Sequence, residues 1–229
     1  MNQKGLPIRE ALCLLQVGAS RITINQSPLP RERVRVRATA GAAKGLFMSL
    51  PRIELRTHRL LLRPWRLSDV DDAVAYGSDP AWGRYLWNTP SPYTYEDASQ
   101  FVTMASNDSW ETQALFAIEL EGRVVGGVRL YLTDVQGGIA GMGFNLARSR
   151  WGHGYATEAA GAVLAYAFEQ GGLHRVYATA DSRNLASIRV QEKLGMSREG
   201  MLRHHHLHSG EYADEVVYGI LANEWAGRA

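Results

Sequence analysis

Three groups of residues have the types and spacing to do chemistry. The first is Gly152-His153-Gly154, inside the run Phe144-Asn-Leu-Ala-Arg-Ser-Arg-Trp-Gly-His-Gly-Tyr-Ala-Thr-Glu158. Two glycines one residue apart let a backbone bend sharply or approach a ligand closely. The helix expected to open at Tyr155, Ala156 and Thr157 leaves unpaired N–H groups beside that bend, an arrangement suited to phosphate. The second group is Asn184 and Ser187, at the start of another expected helix. The third is His204-His-His-Leu-His208. On a strand, His204, His206 and His208 share one face, and an imidazole is a general base matched to neutral pH.

The loop fits neither common nucleotide motif. A P-loop ends in Gly-Lys-Ser/Thr, which is absent here. A dinucleotide fingerprint wants glycine or alanine at the place of Thr157 and an acid on the next strand, yet the stretch Leu173 to Ala180 has none before Asp181. Gly-x-Gly-x-Ala at the end of a strand instead resembles the pyrophosphate loop of the GNAT superfamily of acetyl-CoA-dependent N-acetyltransferases. Asn184-Leu-Ala-Ser-Ile-Arg-Val-Gln-Glu-Lys-Leu-Gly-Met196 resembles a second coenzyme element of that superfamily, in the branch of the ribosomal-protein-alanine (RimJ/RimL-like) N-acetyltransferases. The resemblance runs from about Ile53 to Ala222.

It implies an α+β fold: a mixed, mostly antiparallel sheet of about six or seven strands, flanked by about four helices and splayed at a central parallel pair. It implies acetyl-CoA as cosubstrate, bound by Phe144, Asn145, Leu146, Trp151, Gly152, His153, Gly154, Tyr155, Ala156, Thr157, Asn184 and Ser187. It implies three catalytic candidates: an N–H near Leu146 polarising the thioester, Ser187 bonding the leaving sulfur, and His206 as base. One departure stands out. Many members carry a tyrosine four residues before the glycine of the last helix, where this chain has Gln191. A neutral amide is a poor general acid. No metal is expected.

Elements to position these groups can be read along the chain. Ile53 to Trp65 alternates as a first strand, and Ser68 is placed to cap a helix ending near Tyr76. Trp82, Tyr85 and Trp87 lie on an aromatic loop fit to grip an acceptor. Thr94 caps a second helix, with Asp97 three residues on. Glu121-Gly122 joins a hairpin, and Gly126-Gly127 suggests a bulge or a close backbone approach. Ile139 to Ala147 is the central strand, and Ala156 to Gln170 is a buried helix of small residues closed by Gly171-Gly172. Met196 to Leu202 and Tyr212 to Leu221 form a last antiparallel pair.

Charge separates two regions. Of 25 basic and 23 acidic residues, eight Lys/Arg and two Glu fall in residues 1–47. Residues 1–47 are therefore read as a basic extension, disordered or upstream of the native start, and 48–229 as the acetyltransferase domain. The domain is slightly acidic, so nucleic acid is an unexpected partner for it. The single cysteine, Cys13, excludes an intrachain disulfide and a cysteine nucleophile in the domain. No apolar run approaches the ~18–20 residues of a membrane span. The expectation is a cytoplasmic monomer or homodimer that acetylates a protein N-terminus. A small amine or aminoglycoside is the alternative acceptor, with Asp79, Glu96 and Asp97 as its acidic neighbours, and a non-catalytic acetyl-CoA-binding module is the alternative role.

Overall fold

A computed structural model describes residues 50–86, 88–208 and 210–226. Residues 1–47 and Trp87 lie outside the described residues. The described chain forms one sheet of eight strands in the order β1-β2-β3-β4-β5-β6-β8-β7, with β5 and β6 parallel and every other pair antiparallel. The strands are β1 (Leu55–Arg56), β2 (Leu61–Pro64), β3 (Gln113–Leu120), β4 (Arg123–Asp134), β5 (Ile139–Leu146), β6 (Arg175–Asp181), β7 (Ser197–His208) and β8 (Glu211–Leu221). The helices are α1 (Val70–Gly77), α2 (Tyr95–Asn107), α3 (Tyr155–Glu169), α4 (Leu185–Lys193) and α5 (Ala222–Ala226).

The sheet has more strands than read because the stretch 53–65 is not one strand. It folds back at Thr57–Leu60, where the Thr57 N–H donates to the Leu60 carbonyl at 3.0 Å. Ser68 does not cap α1 either. A 3₁₀ turn at Leu67–Asp69 precedes the helix, and Asp69 accepts the Arg66 N–H at 2.7 Å. Asp69 is held there because Arg63, only 3% exposed, donates to it through two nitrogens at 2.8 Å each and to Glu119 at 2.6 Å.

Other local readings hold. Thr94 and Asp97 form a reciprocal cap on α2. Glu121 and Gly122 both adopt positive φ, 53° and 79°, as a tight hairpin requires. α3 is buried along Ala159, Ala160, Ala162 and Val163 to Ala167, so its small side chains bring it close against the sheet. It ends with the Gly171 N–H on Tyr166 O and the Leu173 N–H on Ala167 O, around Gly172 at φ 62°. The core runs on through Trp110, Phe116 and Tyr166, stacked edge to face. No described helix is long and apolar enough to cross a membrane.

Candidate active site

β5 and β6 pair only from Ile139–Arg175 to Met142–Ala178. Beyond that register they separate, although β5 continues beside β4 as far as Leu146 and β6 beside β8 as far as Asp181. The direction of the free peptide groups follows from their neighbours. The Ala147 N–H donates to Val125 O on β4, and Gly138 O accepts the Arg175 N–H from the β6 side. Peptide groups of the odd residues of β5 therefore face β4, and those of Phe144 and Leu146 face the gap. On β6, the Ser182 N–H donates to Asp214 O beside β8, so the Thr179 carbonyl faces the gap from the other side.

On the other side of β5, β4 carries a bulge against β3. Ile118 pairs with Gly126 and Glu119 with Val124, which leaves Val125 as an extra, bulged residue. Gly126 then lies against the Asn145 carbonyl, where a Cβ would collide with backbone. The expected close approach at Gly126-Gly127 is thus real, and it lies at the free end of β5.

At that end the chain turns through Arg148–Arg150 and the glycine loop into α3. Gly152 has φ 78°, and Gly154, the N-cap of α3, has φ 80°. The first intrahelical bond runs from the Glu158 N–H to Gly154 O at 3.0 Å, so Tyr155, Ala156 and Thr157 keep N–H groups without a helical partner. Residues 151–154 are exposed. Trp151 is folded back, its indole N–H on Leu146 O at 2.7 Å, and this occupies one carbonyl that faces the gap. The His153 ring contacts Trp151 O at 2.7 Å and stacks on Tyr155.

The other rim is α4. Asn184 caps it, Oδ1 accepting the Ser187 N–H at 3.1 Å. Gln191 is fully buried. Its Nε2 donates to Thr179 O and to Ser187 Oγ, each at 3.4 Å, while Oε1 has no hydrogen-bond partner. Gln191 thus fills the β6 side of the gap and touches the serine.

The histidines lie on β7, which extends through them instead of ending at Leu202. They do not share one face. Leu202 pairs with Glu215 and His206 with Ala213, so three residues of β7 bulge past one of β8, and His204 takes φ 51°. His204 stacks on Tyr212, and His205 lies 3.4 Å from Glu215. His206 and His208 are half-buried. Burial pulls the His206 imidazole below its usual pKa and the nearby His205 and His208 act the same way, with Glu215 and Asp181 opposing.

A cavity of about 360 Å³ lies off the C-terminal end of β6, lined by Pro80, Arg84, Tyr85, Arg183, His208 and Glu211 among others. Tyr85 of the aromatic loop faces it. Trp82 instead packs on the core against Tyr76 and Tyr93. Glu96 and Asp97 are absent from this lining, Glu96 accepting from Gln100 and Asp97 capping α2, whereas Asp79 lines an adjoining cavity that shares Pro80, Gly83 and Ser91 with the first, and it accepts the Ala81 N–H. Arg183 is gripped by Asp181 at 2.7 Å and reaches Glu211 at 3.4 Å, joining the loop after β6 to the tip of the β7–β8 hairpin.

Arg59, Arg84 and Arg183 carry no motif, and sequence reading passes over them. Arg59 shows why. It meets Glu158 at a separation of 99 residues, a distance along the chain at which no local pattern operates.

Comparison with known proteins identifies the family. The Acetyltransferase (GNAT) domain family matches residues 59–197. The uncharacterized N-acetyltransferase p20 of Bacillus licheniformis is 33% identical over 179 residues, spanning 76% of this chain and 98% of that relative. The crystal structure of a GNAT-family acetyltransferase from Bacillus anthracis superposes with a TM-score of 0.68 at 31% identity, covering 75% of this chain and 100% of that one. RimL, a ribosomal L7/L12 alpha-N-protein acetyltransferase solved with coenzyme A, shares the fold at a TM-score of 0.65 and 18% identity, over 77% of this chain and 99% of that one. The chain belongs to the GNAT family and is an acetyl-CoA-dependent N-acetyltransferase.

Proposed function

We propose that this enzyme acetylates a protein N-terminal α-amine, with the coenzyme laid along the gap between β5 and β6. The observation that carries the coenzyme placement is the free edge of β5. Phe144 and Leu146 turn peptide groups into the gap, and the gap runs directly to the glycine loop and the start of α3. An extended amide-bearing chain adds to such an edge as a strand does. Its anionic end then meets the N–H groups of residues 152–157.

Acetyl-CoA supplies the thioester whose acyl carbon the amine attacks. The Leu146 N–H polarises the carbonyl as negative charge develops on its oxygen. As the C–N bond forms and the C–S bond breaks, the sulfur leaves as thiolate. Ser187 donates a hydrogen bond to it, its Oγ already receiving the Gln191 amide. Asn184 steadies the coenzyme arm with the part of its amide not used in capping. His206 takes the amine proton, and burial keeps its imidazole neutral for that task.

Acceptor choice follows from charge and pKa. The cavity lining carries Arg84 and Arg183 against Glu211, and Asp181 balances Arg183, so the cavity offers no excess of acid to hold a polycationic drug. An α-amine of pKa near 8 is partly neutral at physiological pH. A lysine near 10.4 is only ~0.1% neutral, a penalty of roughly 4 kcal/mol. A thiol-release assay tests the reading with three acceptors: peptides with a free N-terminus, N-blocked peptides containing lysine, and an aminoglycoside. Turnover is expected on the first group. Turnover confined to the aminoglycoside or to blocked lysine peptides overturns it.

A further inference from the structure

The turn between β1 and β2 belongs to no coenzyme motif, yet it grips the start of α3. Thr57 Oγ1 donates to Glu158 Oε1 at 2.5 Å, and the Arg59 backbone N–H donates to the same oxygen at 2.9 Å. Arg59 Nε donates to Oε2 at 2.7 Å, and Nη2 lies 2.6 Å from the same oxygen as an ion pair. Its third nitrogen, Nη1, donates to His153 O at 3.0 Å, inside the glycine loop. The guanidinium covers the Tyr155 ring at 4.3 Å, and Nη2 lies 3.5 Å from where a Cβ on Gly154 would stand. All three guanidinium nitrogens are therefore committed between the loop and the first turn of the helix.

Glu158 makes this contact informative. A carboxylate in the first turn favours the helix but repels a second anion at the same end. Burial pushes its pKa up, yet the bonds from Thr57 and Arg59 outweigh burial and hold it below the usual carboxylate range, so the group is charged. Arg59 cancels that charge. It is also the outer partner, its side chain 38% exposed against 13% for Glu158, so the ion pair presents its cation to the loop.

We propose that Arg59 is a positioning residue for the coenzyme diphosphate: it fixes the loop through His153 O and removes the repulsion of Glu158. This rests on the placement of the diphosphate given above. The test compares binding of acetyl-CoA with binding of S-acetylpantetheine, which has the same arm and thioester but no diphosphate. Calorimetry is run on the wild type, Arg59→Gln, Arg59→Lys, Glu158→Gln and the double variant Arg59→Gln/Glu158→Gln. Thermal unfolding runs in parallel.

Arg59→Gln is expected to weaken acetyl-CoA about tenfold and leave S-acetylpantetheine unchanged. Arg59→Lys should recover part of the loss, because it restores the charge without the fork that reaches both Glu158 and His153. The double variant should bind acetyl-CoA better than Arg59→Gln alone, because the uncompensated carboxylate is gone. Equal losses for both ligands would mean a merely structural clasp and overturn the proposal, as would no loss at all. A wild type that binds acetyl-CoA no more tightly than S-acetylpantetheine would overturn the diphosphate placement itself, a failure visible before any variant is made.

Discussion

Replacing Gly152 with alanine separates a folding cost from a ligand cost. Gly152 sits at φ 78°, and a Cβ there meets nothing within 4 Å. The folded protein has room for the methyl group, so the penalty is the left-handed backbone alone, ~1–2 kcal/mol for an L-residue. For a domain of this size that is a fall in Tm of roughly 2–8 °C. A matched control exists in the same chain. Gly122, in the β3–β4 hairpin, has φ 79° and equally open space. Gly122→Ala should therefore lose the same stability. The two differ only at the proposed site, where the space open in front of Gly152 is where a phosphate would approach backbone N–H groups. We expect Gly152→Ala to lose at least about tenfold in acetyl-CoA affinity, or ~1.4 kcal/mol, and Gly122→Ala to lose none. Thermal unfolding and calorimetry read the two quantities. If both variants unfold alike and bind acetyl-CoA alike, the loop does not receive the diphosphate and the reasoning fails.

Two further outcomes follow from buried charge. The folded pKa of His206 is lowered by burial from an ordinary value near 6.5, so a base at this position stays neutral at and above pH 7. kcat/KM should rise toward about pH 8 as the acceptor amine loses its proton, and fall more steeply at lower pH, below the ordinary imidazole value, where His206 also protonates; His206→Gln should remove that extra steepness along with most of the rate, and an unchanged profile would exclude His206 as the base. Because the folded pKa lies below the unfolded one, the same group also costs stability as pH falls through that range. Arg63→Ala strips Asp69 of its two guanidinium bonds in a site 4% exposed, and should cost ~3–5 kcal/mol in urea unfolding, whereas a loss under 1 kcal/mol would show that solvent reaches the carboxylate.

Whatever a few adjacent residues can decide was readable from the sequence. Gly152 and Gly154 permit a turn with two positive φ angles, Thr94 and Asp97 cap a helix reciprocally, and Glu121-Gly122 closes a hairpin, each through backbone and side-chain geometry confined to a few residues. The order strand, glycine loop, small-residue helix was legible for the same reason, and the phosphate proposal starts from it. Misreadings came where a distant group intervened. Asp69 and not Ser68 orders the start of α1, because Arg63 on β2 holds it. The three histidines lost their common face to a bulge that β7 makes against β8.

The gap between β5 and β6 belongs to the tertiary structure. β5 and β6 have no local signal telling them to part after Met142 and Ala178; where their ladder stops is a property of the assembled sheet. The meeting of Arg59 with Glu158 is of the same kind. Backbone dihedrals are set by near neighbours, but which peptide group is left without a partner depends on the register of whole strands, and only packing sets that.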